Sequence, residues 1–331
     1  MTQIHSKEPA RVVLAALPTP VVELPRLAQH VGCDRLLMKR DDLTGIELSG
    51  NKVRKLEYLL AEAVEQGCDT IITNGGHQSN HCRATAAACA RLGLRLRLIL
   101  RGPAEGAAPL VGNLLLDQLF GAEFSLHAPA EYAARRDALI QAAIEQETRA
   151  GHRPYHFPVG GSVPLGSWGY IRLVAELLTQ IPTNSLLDIY VAVSSSGTLA
   201  GLIVGCALLR ASHIRVVGVP VSDSLELLRP DVSQLVAATV HKYDLGIDPA
   251  GLPIEMHTGF IGDGYAIPTP QGQDALRTVG RLEGIALDPT YTAKAMAGFL
   301  DAVKTGKIRS GATAMFIHTG GIFGLLARPT L

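Results

Sequence analysis

Lys52 stands where a glycine turn, Leu48-Ser49-Gly50-Asn51, runs into an amphipathic pattern that begins Val53-Arg54-Lys55-Leu56. A lysine in the first turn of a helix is electrostatically misplaced, because the macrodipole puts partial positive charge there. That placement lowers the cost of losing its proton, and a neutral lysine amine can form a Schiff base with an aldehyde. On this segment alone, a surface lysine that precedes a helix is the commoner explanation.

A second segment, Asn74-Gly75-Gly76-His77-Gln78-Ser79-Asn80-His81, follows an apolar run and precedes an alanine-rich pattern. Where strand ends meet helix starts in open α/β sheets, ligands bind, and the free N–H groups favour an anion such as a carboxylate. An N-cap role for Ser79 or Asn80 explains one polar residue here, but not the whole run. His77, Gln78, Ser79, Asn80 and His81 are therefore expected to face a substrate. His77 and His81 are four apart with Cys82 next, but His77 falls before the helix and His-Glu-x-x-His is absent, so no metal is expected. A third segment, Ser194-Ser195-Ser196-Gly197-Thr198-Leu199-Ala200, reads as a phosphate cradle of backbone N–H groups and hydroxyls at a helix start. It has neither the Walker A pattern nor Gly-x-Gly-x-x-Gly, which argues against a nucleotide-binding protein. Tyr265 sits in a glycine-rich loop without apolar periodicity, where aromatics tend to face a site. Tyr291, an isolated tyrosine, reads first as core packing, and Phe316–Gly321 is a strand ending in a hydroxyl and two glycines.

The elements that must position these residues alternate. Strands are expected at 36–39, 70–73, 96–100, 123–126, 155–158, 189–193, 216–221 and 314–318. Helices are expected at 52–66, 80–92, 111–120, 131–150, 165–179, 199–210, 271–282 and 290–303. Such alternation implies α/β with parallel sheets, since each parallel pair needs a crossover. At 331 residues the chain is long enough for two domains, and the Gly160-Gly161-Ser162-Val163-Pro164 cluster suits a crossing between them. Lysine plus arginine equals aspartate plus glutamate at 30 each, so nothing points to nucleic acid or a membrane surface. The five cysteines are odd in number and lack Cys-x-x-Cys spacing, which suits reduced thiols in a cytoplasmic protein. Neither a signal peptide nor a membrane span is expected.

Taken in order, these segments resemble the D-cysteine desulfhydrase and 1-aminocyclopropane-1-carboxylate (ACC) deaminase family. The resemblance runs from Leu17-Pro18-Thr19-Pro20 through Lys39-Arg40-Asp41-Asp42, Gly50–Glu57, Gln78–His81 and Pro158–Ser162 to His318-Thr319-Gly320-Gly321. Members are pyridoxal 5′-phosphate (PLP) enzymes of fold type II, the tryptophan synthase β-subunit fold, and usually homodimers. The resemblance implies a two-domain α/β chain with parallel-rich twisted sheets flanked by helices and the cofactor in the cleft between domains. Residues 1–52 and 165–331 would form the large PLP-binding domain and 53–164 a smaller inserted one.

The same resemblance assigns roles. Lys52 matches the Schiff-base lysine, Asn80 the residue at the PLP 3′-oxygen and Ser79 the serine beside the substrate α-carbon. Ser196, Gly197, Thr198, Leu199 and Ala200 match the phosphate cradle. Tyr265 and Tyr291 match two active-site tyrosines, and Thr319 a hydroxyl near the pyridine nitrogen. Two positions depart from the pattern. ACC deaminases carry a glutamate where this chain has Thr292, and many relatives place an aliphatic residue where it has His77. A hydroxyl in place of a carboxylate weakens the electron sink, which favours expelling a good β-leaving group over opening a cyclopropane. The expected activity is β-elimination from a small amino acid, D-cysteine first, giving pyruvate, ammonia and hydrogen sulfide. L-cysteate or D-serine come next, then ACC. A PLP-binding protein without turnover would not need Ser79, Tyr265 or Tyr291.

Overall fold

The computed structural model describes residues 4–103, 108–182 and 185–328. In chain order the elements are β1 (Val21–Glu23), α1 (Pro25–Val31), β2 (Leu36–Lys39), α2 (Lys52–Glu65), β3 (Thr70–Gly76), α3 (Asn80–Leu92) and β4 (Arg95–Arg101). There follow α4 (Gly112–Leu119), β5 (Glu123–His127), α5 (Pro129–Arg149), β6 (Pro154–His156), α6 (Pro164–Gln180), β7 (Leu187–Val193) and α7 (Gly197–Leu208). The chain continues through β8 (Ile214–Pro220), α8 (Leu225–Lys242), β9 (Glu255–Met256), α9 (Pro270–Glu283), α10 (Thr292–Lys304), β10 (Thr313–Ile317) and α11 (Ile322–Leu326).

The strands form two sheets. One has six strands in the order β1-β2-β10-β7-β8-β9, and the other four in the order β5-β4-β3-β6. Every described pairing is parallel except β1 with β2. The parallel-rich α/β architecture is thus as the sequence led one to expect. Strands covered on both faces send alternate residues into opposite cores. Ile189, Val191, Met315 and Ile317 enter the core shared with α2, α6, α7 and α8. Tyr190, Val217, Ala314 and Phe316 enter the one built with Val279 of α9 and Met296 and Phe299 of α10.

The expected strands and helices are all present, with shifted ends. Three shifts bear on function. β3 runs on to Gly76, because Asn74, Gly75 and Gly76 pair in register with Ile99, Leu100 and Arg101. α7 begins at Gly197, so Gly197 and Thr198 are its first turn and not loop. α10 begins two residues later than expected, because the Asp288 carboxylate accepts from the backbone N–H groups of Thr290, Tyr291 and Thr292. The sequence reading missed β1, α1, α8, β9 and α11. In α8 the exposed Pro230 interrupts the helical pattern, and water can take the carbonyl that the missing N–H leaves free.

α2 is fixed by a buried ionic network. Arg54 grips Asp41 with two hydrogen bonds of 2.9 and 2.8 Å and donates to Glu176 at 2.9 Å. Lys39 also pairs with Glu176, and the Tyr170 hydroxyl donates to Asp41 at 2.7 Å. Burial alone would neutralise these groups, but Arg54 and Lys39 hold the Asp41 and Glu176 carboxyls below their ordinary range. Removing one partner strands a buried charge, which typically costs about 3–5 kcal/mol. Arg54→Met should lose that amount in chemical denaturation at neutral pH, while the milder Lys39→Met loses less because Arg54 still neutralises Glu176.

Candidate active site

The C-terminal ends of β3, β7, β8 and β10 open onto one cavity of about 760 Å³. This is where open parallel sheets place their ligands. Lys52, Ser79, Asn80 and His81 line it, as do Ser196, Thr198, Leu199, Tyr265, Tyr291 and Thr319. His77, Gln78, Gly197 and Ala200 do not. Gln78 is committed elsewhere: its amide donates to the Val111 carbonyl and accepts from the Asn113 N–H, both at 3.0 Å, at the start of α4. The Cβ of His77 packs by Gly102, and its ring is held neutral by partial burial.

Lys52 reaches the cavity because two loops meet backbone to backbone. A Cβ on Gly50, at φ 104°, would sit 2.7 Å from the Thr319 carbonyl oxygen, and one on Gly320, at φ 95°, 2.7 Å from Gly50 Cα. Only glycine fits at either place. The Asn51 N–H donates to that same Thr319 carbonyl at 3.1 Å, and the Asn51 side chain donates to Thr198 Oγ1 at 3.0 Å. The turn before Lys52 is thereby tied to β10 on one side and to α7 on the other. Burial pushes the Lys52 amine down to about 8, so the electrostatic cost read from helix position is reinforced by desolvation.

The α7 side is built to receive an anion. The Gly197 N–H donates to the Ser195 carbonyl at 2.7 Å around Ser196, whose φ of 63° and ψ of −38° make it the centre of a strained γ-turn. This turn leaves the first N–H groups of α7 without carbonyl partners in the helix, aimed at the cavity end of β7. Beneath them lies Lys55, which the sequence reading did not single out. Its amine is buried, donates to the Gly160 carbonyl at 3.1 Å, and lies 2.7 Å from where a Cβ on Gly197 would stand. Burial and the neighbouring Lys52 charge push it well below the ordinary lysine value. Two depressed lysines at one helix start mark a place that lacks a counter-anion. The signal was present in the sequence as Lys52-x-x-Lys55, one helical turn apart.

On the β3 side, Ser79 is the N-cap of α3, accepting from the Cys82 N–H at 3.3 Å, which leaves its own O–H free to donate. Capping and site roles therefore coexist. Asn80 accepts from Asn113 at 3.1 Å. The Thr73 hydroxyl donates to the Phe157 carbonyl at 2.8 Å, so it must accept from His81 Nε2 at 2.9 Å. That fixes the His81 tautomer and leaves its buried Nδ1 as an unpartnered acceptor. Tyr265 and Tyr291 meet hydroxyl to hydroxyl at 2.5 Å, so Tyr291 is no mere core residue. The buried Lys294 donates to the Ile261 and Gly264 carbonyls at 2.6 and 2.8 Å and so holds the Tyr265 loop. Thr292 differs from expectation: it is fully buried and spends its hydroxyl on Asp288 at 2.7 Å, whereas Thr319 lines the cavity.

A Lys-bearing helix start facing a strained anion loop across a cavity between two parallel sheets defines a PLP-type enzyme of fold type II. The chain belongs to the family described as pyridoxal-phosphate dependent enzymes, which it matches over residues 12–320. It is 42% identical to a putative 1-aminocyclopropane-1-carboxylate deaminase of Thermotoga maritima, covering 96% of this chain and 98% of that one. It is 38% identical to the D-cysteine desulfhydrase of Salmonella typhi, covering 96% and 95%. A crystal structure of an ACC deaminase homologue superposes with a TM-score of 0.88 at 36% identity, covering 98% of this chain and 97% of that one. Its cofactor is PLP, and the donor set fits that group, with an amine titrating near 8 for the aldehyde and free N–H groups above the buried Lys55 for the phosphate.

Borohydride trapping followed by peptide mapping should place the pyridoxyl label on Lys52. Capture of PLP by the apo-protein should be half-maximal near pH 8, because the neutral amine accumulates there and not near 10.5. Label on Lys39, Lys55 or Lys294 would overturn the assignment.

Proposed function

We propose that this enzyme is a β-eliminating lyase on a small amino acid, with D-cysteine converted to pyruvate, ammonia and hydrogen sulfide. Bound PLP supplies the electron sink. Lys52 holds the cofactor at rest. When not bonded to the cofactor, its amine, whose proton affinity burial lowers, would be placed to take the α-proton. Ser79, with its O–H free at the start of α3, lies where it can orient the carboxylate or pass that proton on. Asn80 serves the ring hydroxyl, and Ser196, Gly197, Thr198, Leu199 and Ala200 with Lys55 serve the phosphate. In the paired phenols, burial raises both, Tyr291 further than Tyr265, and Arg101 over the Tyr265 ring eases loss of that proton first. Tyr265 is thus suited to exchange a proton with the leaving group.

The choice of elimination over ring opening rests on Thr319. The carboxylates lining the cavity are Asp223 and Asp231. Asp223 follows β8, two strands from β10, or about 10 Å in a sheet. Asp288 packs against Gly321 but spends its oxygens on Thr290, Tyr291 and Thr292, so among the described residues the group offered to a ring nitrogen here is the Thr319 hydroxyl. A weaker sink requires a better leaving group, and thiolate leaves more readily than a cyclopropane carbon. Residues 53–164 would act as the inserted small domain against 1–52 and 165–331. We further propose a cytoplasmic homodimer. The five cysteines are free. Exposed Leu115 and Leu119 on α4, with Leu326 on the adjoining α11, offer an apolar face to a second copy.

Pyruvate formed from D-cysteine should exceed 2-oxobutyrate formed from ACC at equal enzyme. A higher rate with ACC would overturn the ring-nitrogen reasoning. Ser79→Ala should keep the cofactor absorbance and lose about 10²–10⁴-fold in turnover. Loss of the N-cap costs only about 1 kcal/mol of stability. A change in turnover below threefold, with the melting temperature lowered, would leave Ser79 as a cap alone.

A further inference from the structure

The end of β4 carries a cation that the proposed chemistry has used only for its effect on Tyr265. Arg101 lines the cavity and is half-buried. Its guanidinium lies over the Tyr265 ring at 4.8 Å from the centroid, and it has no carboxylate partner among the described residues. The neighbouring Arg136 differs, since its Nε donates to Asp137 at 2.8 Å. Arg101 pairs in register with Gly76, the last residue of the strand that leads to Ser79, so it stands one strand further out, about 4.8 Å. Gly76 borders the same wall, since a Cβ there would lie in ordinary contact with the Tyr265 hydroxyl at 3.5 Å. Arg101, the Tyr265 ring and the Tyr265–Tyr291 hydroxyl pair thus form one continuous wall beyond the place proposed for the reacting carbon.

We propose that Arg101 forms a subsite for an anionic group at the end of the substrate side chain, so that the substrate class extends to small amino acids bearing a sulfonate or phosphate beyond Cβ. This rests on the elimination reading above. For cysteate, the Cα–H and Cβ–S bonds break, the C–S electron pair departs with sulfite, and water completes release of pyruvate and ammonia. A guanidinium on the wall offsets the charge of the bound sulfonate and of the departing sulfite, and a half-buried cation without a carboxylate partner gains most from such a ligand.

The test separates this subsite from turnover. Calorimetry on the holoenzyme compares 3-sulfopropanoate, which lacks the amine and cannot react, with its neutral sulfonamide counterpart. The sulfonate should bind on the order of tenfold to a hundredfold more tightly, the range of one charge-assisted hydrogen bond. Arg101→Gln should abolish that difference while leaving sulfonamide affinity unchanged, and Arg101→Lys should restore part of it. In steady state, Arg101→Gln should raise KM for cysteate by a similar factor and lower kcat/KM for neutral β-chloroalanine far less than kcat/KM for cysteate. Equal binding of both probes by wild type would overturn the proposal. So would an equal loss of both probes and both substrates in Arg101→Gln, which would make Arg101 a positioning residue for Tyr265. Should Arg101→Gln fail to fold, the wild-type preference and its weakening in high salt decide the matter. Absence of pyruvate from every substrate, with the sulfonate preference intact, would refute the lyase reading and leave the subsite standing.

Discussion

The first turn of α2 must be held still while carrying an amine that its surroundings disfavour as a cation. The structure does this from two sides. On the far side, Arg54 anchors the helix to Asp41 and Glu176 through hydrogen bonds of 2.8 and 2.9 Å. On the near side, Gly50 and Gly320 allow the preceding turn to lie directly on the strand-end loop of β10. Of these residues Gly320 alone borders the cavity, yet together they decide where Lys52 points. A lysine on a loop could avoid desolvation by swinging into water. On a helix start pinned from two sides it cannot, and its proton affinity falls.

The same confinement explains why the anion loop is strained. α7 follows β7 after only Ser194, Ser195 and Ser196, and the γ-turn at Ser196 turns the helix start toward the cavity. The cost of that conformation is of the order of 1–3 kcal/mol. It is offset by ties that an empty turn would not need: Ser162 Oγ accepts from the Gly197 N–H at 3.3 Å, and Asn51 holds Thr198. Lys55 beneath the loop completes the arrangement. With Lys52 depressed by burial and Lys55 by burial and by Lys52, binding of a phosphate would raise the Lys55 proton affinity, and cofactor and proton would enter together.

Much of this was legible in the sequence, because parallel strands and their helices announce themselves by period and by glycine punctuation. β2 and α3 fall at the limits that the pattern predicts. Where ends moved, a side chain or a neighbouring strand was responsible: Asp288 capped α10 late, and pairing with β4 extended β3 through two glycines that look like loop. Lys52, Ser79 and Thr319 stood out by local context. Lys55, Arg101 and Lys294 did not, since each acts through a partner distant in the chain. Gln78 and His77 sat in the right segment, but alternation along the turn sends their side chains toward α4 and Gly102. Thr292 was misread for the same reason, because nothing in the sequence says that Asp288 will claim its hydroxyl.

The two tyrosines show how far the site's proton chemistry depends on residues outside it. Both phenols are buried, which alone would hold both protons firmly. Their shared hydrogen bond breaks the symmetry, since only one can donate, and Arg101 over the ring of Tyr265 selects which one gives up its proton. Lys294 acts on the same pair differently, fixing the loop of Tyr265 from the helix that follows Tyr291, so the distance between hydroxyls is set by one short stretch of chain. Leaving-group protonation and recognition of a distal charge therefore draw on the same guanidinium. A substrate anion that neutralises Arg101 would raise the proton affinity of Tyr265, so the phenol would keep its proton when an anionic leaving group needs none, whereas with no distal anion Arg101 keeps that affinity lower and the phenol would be the better donor to a departing thiolate.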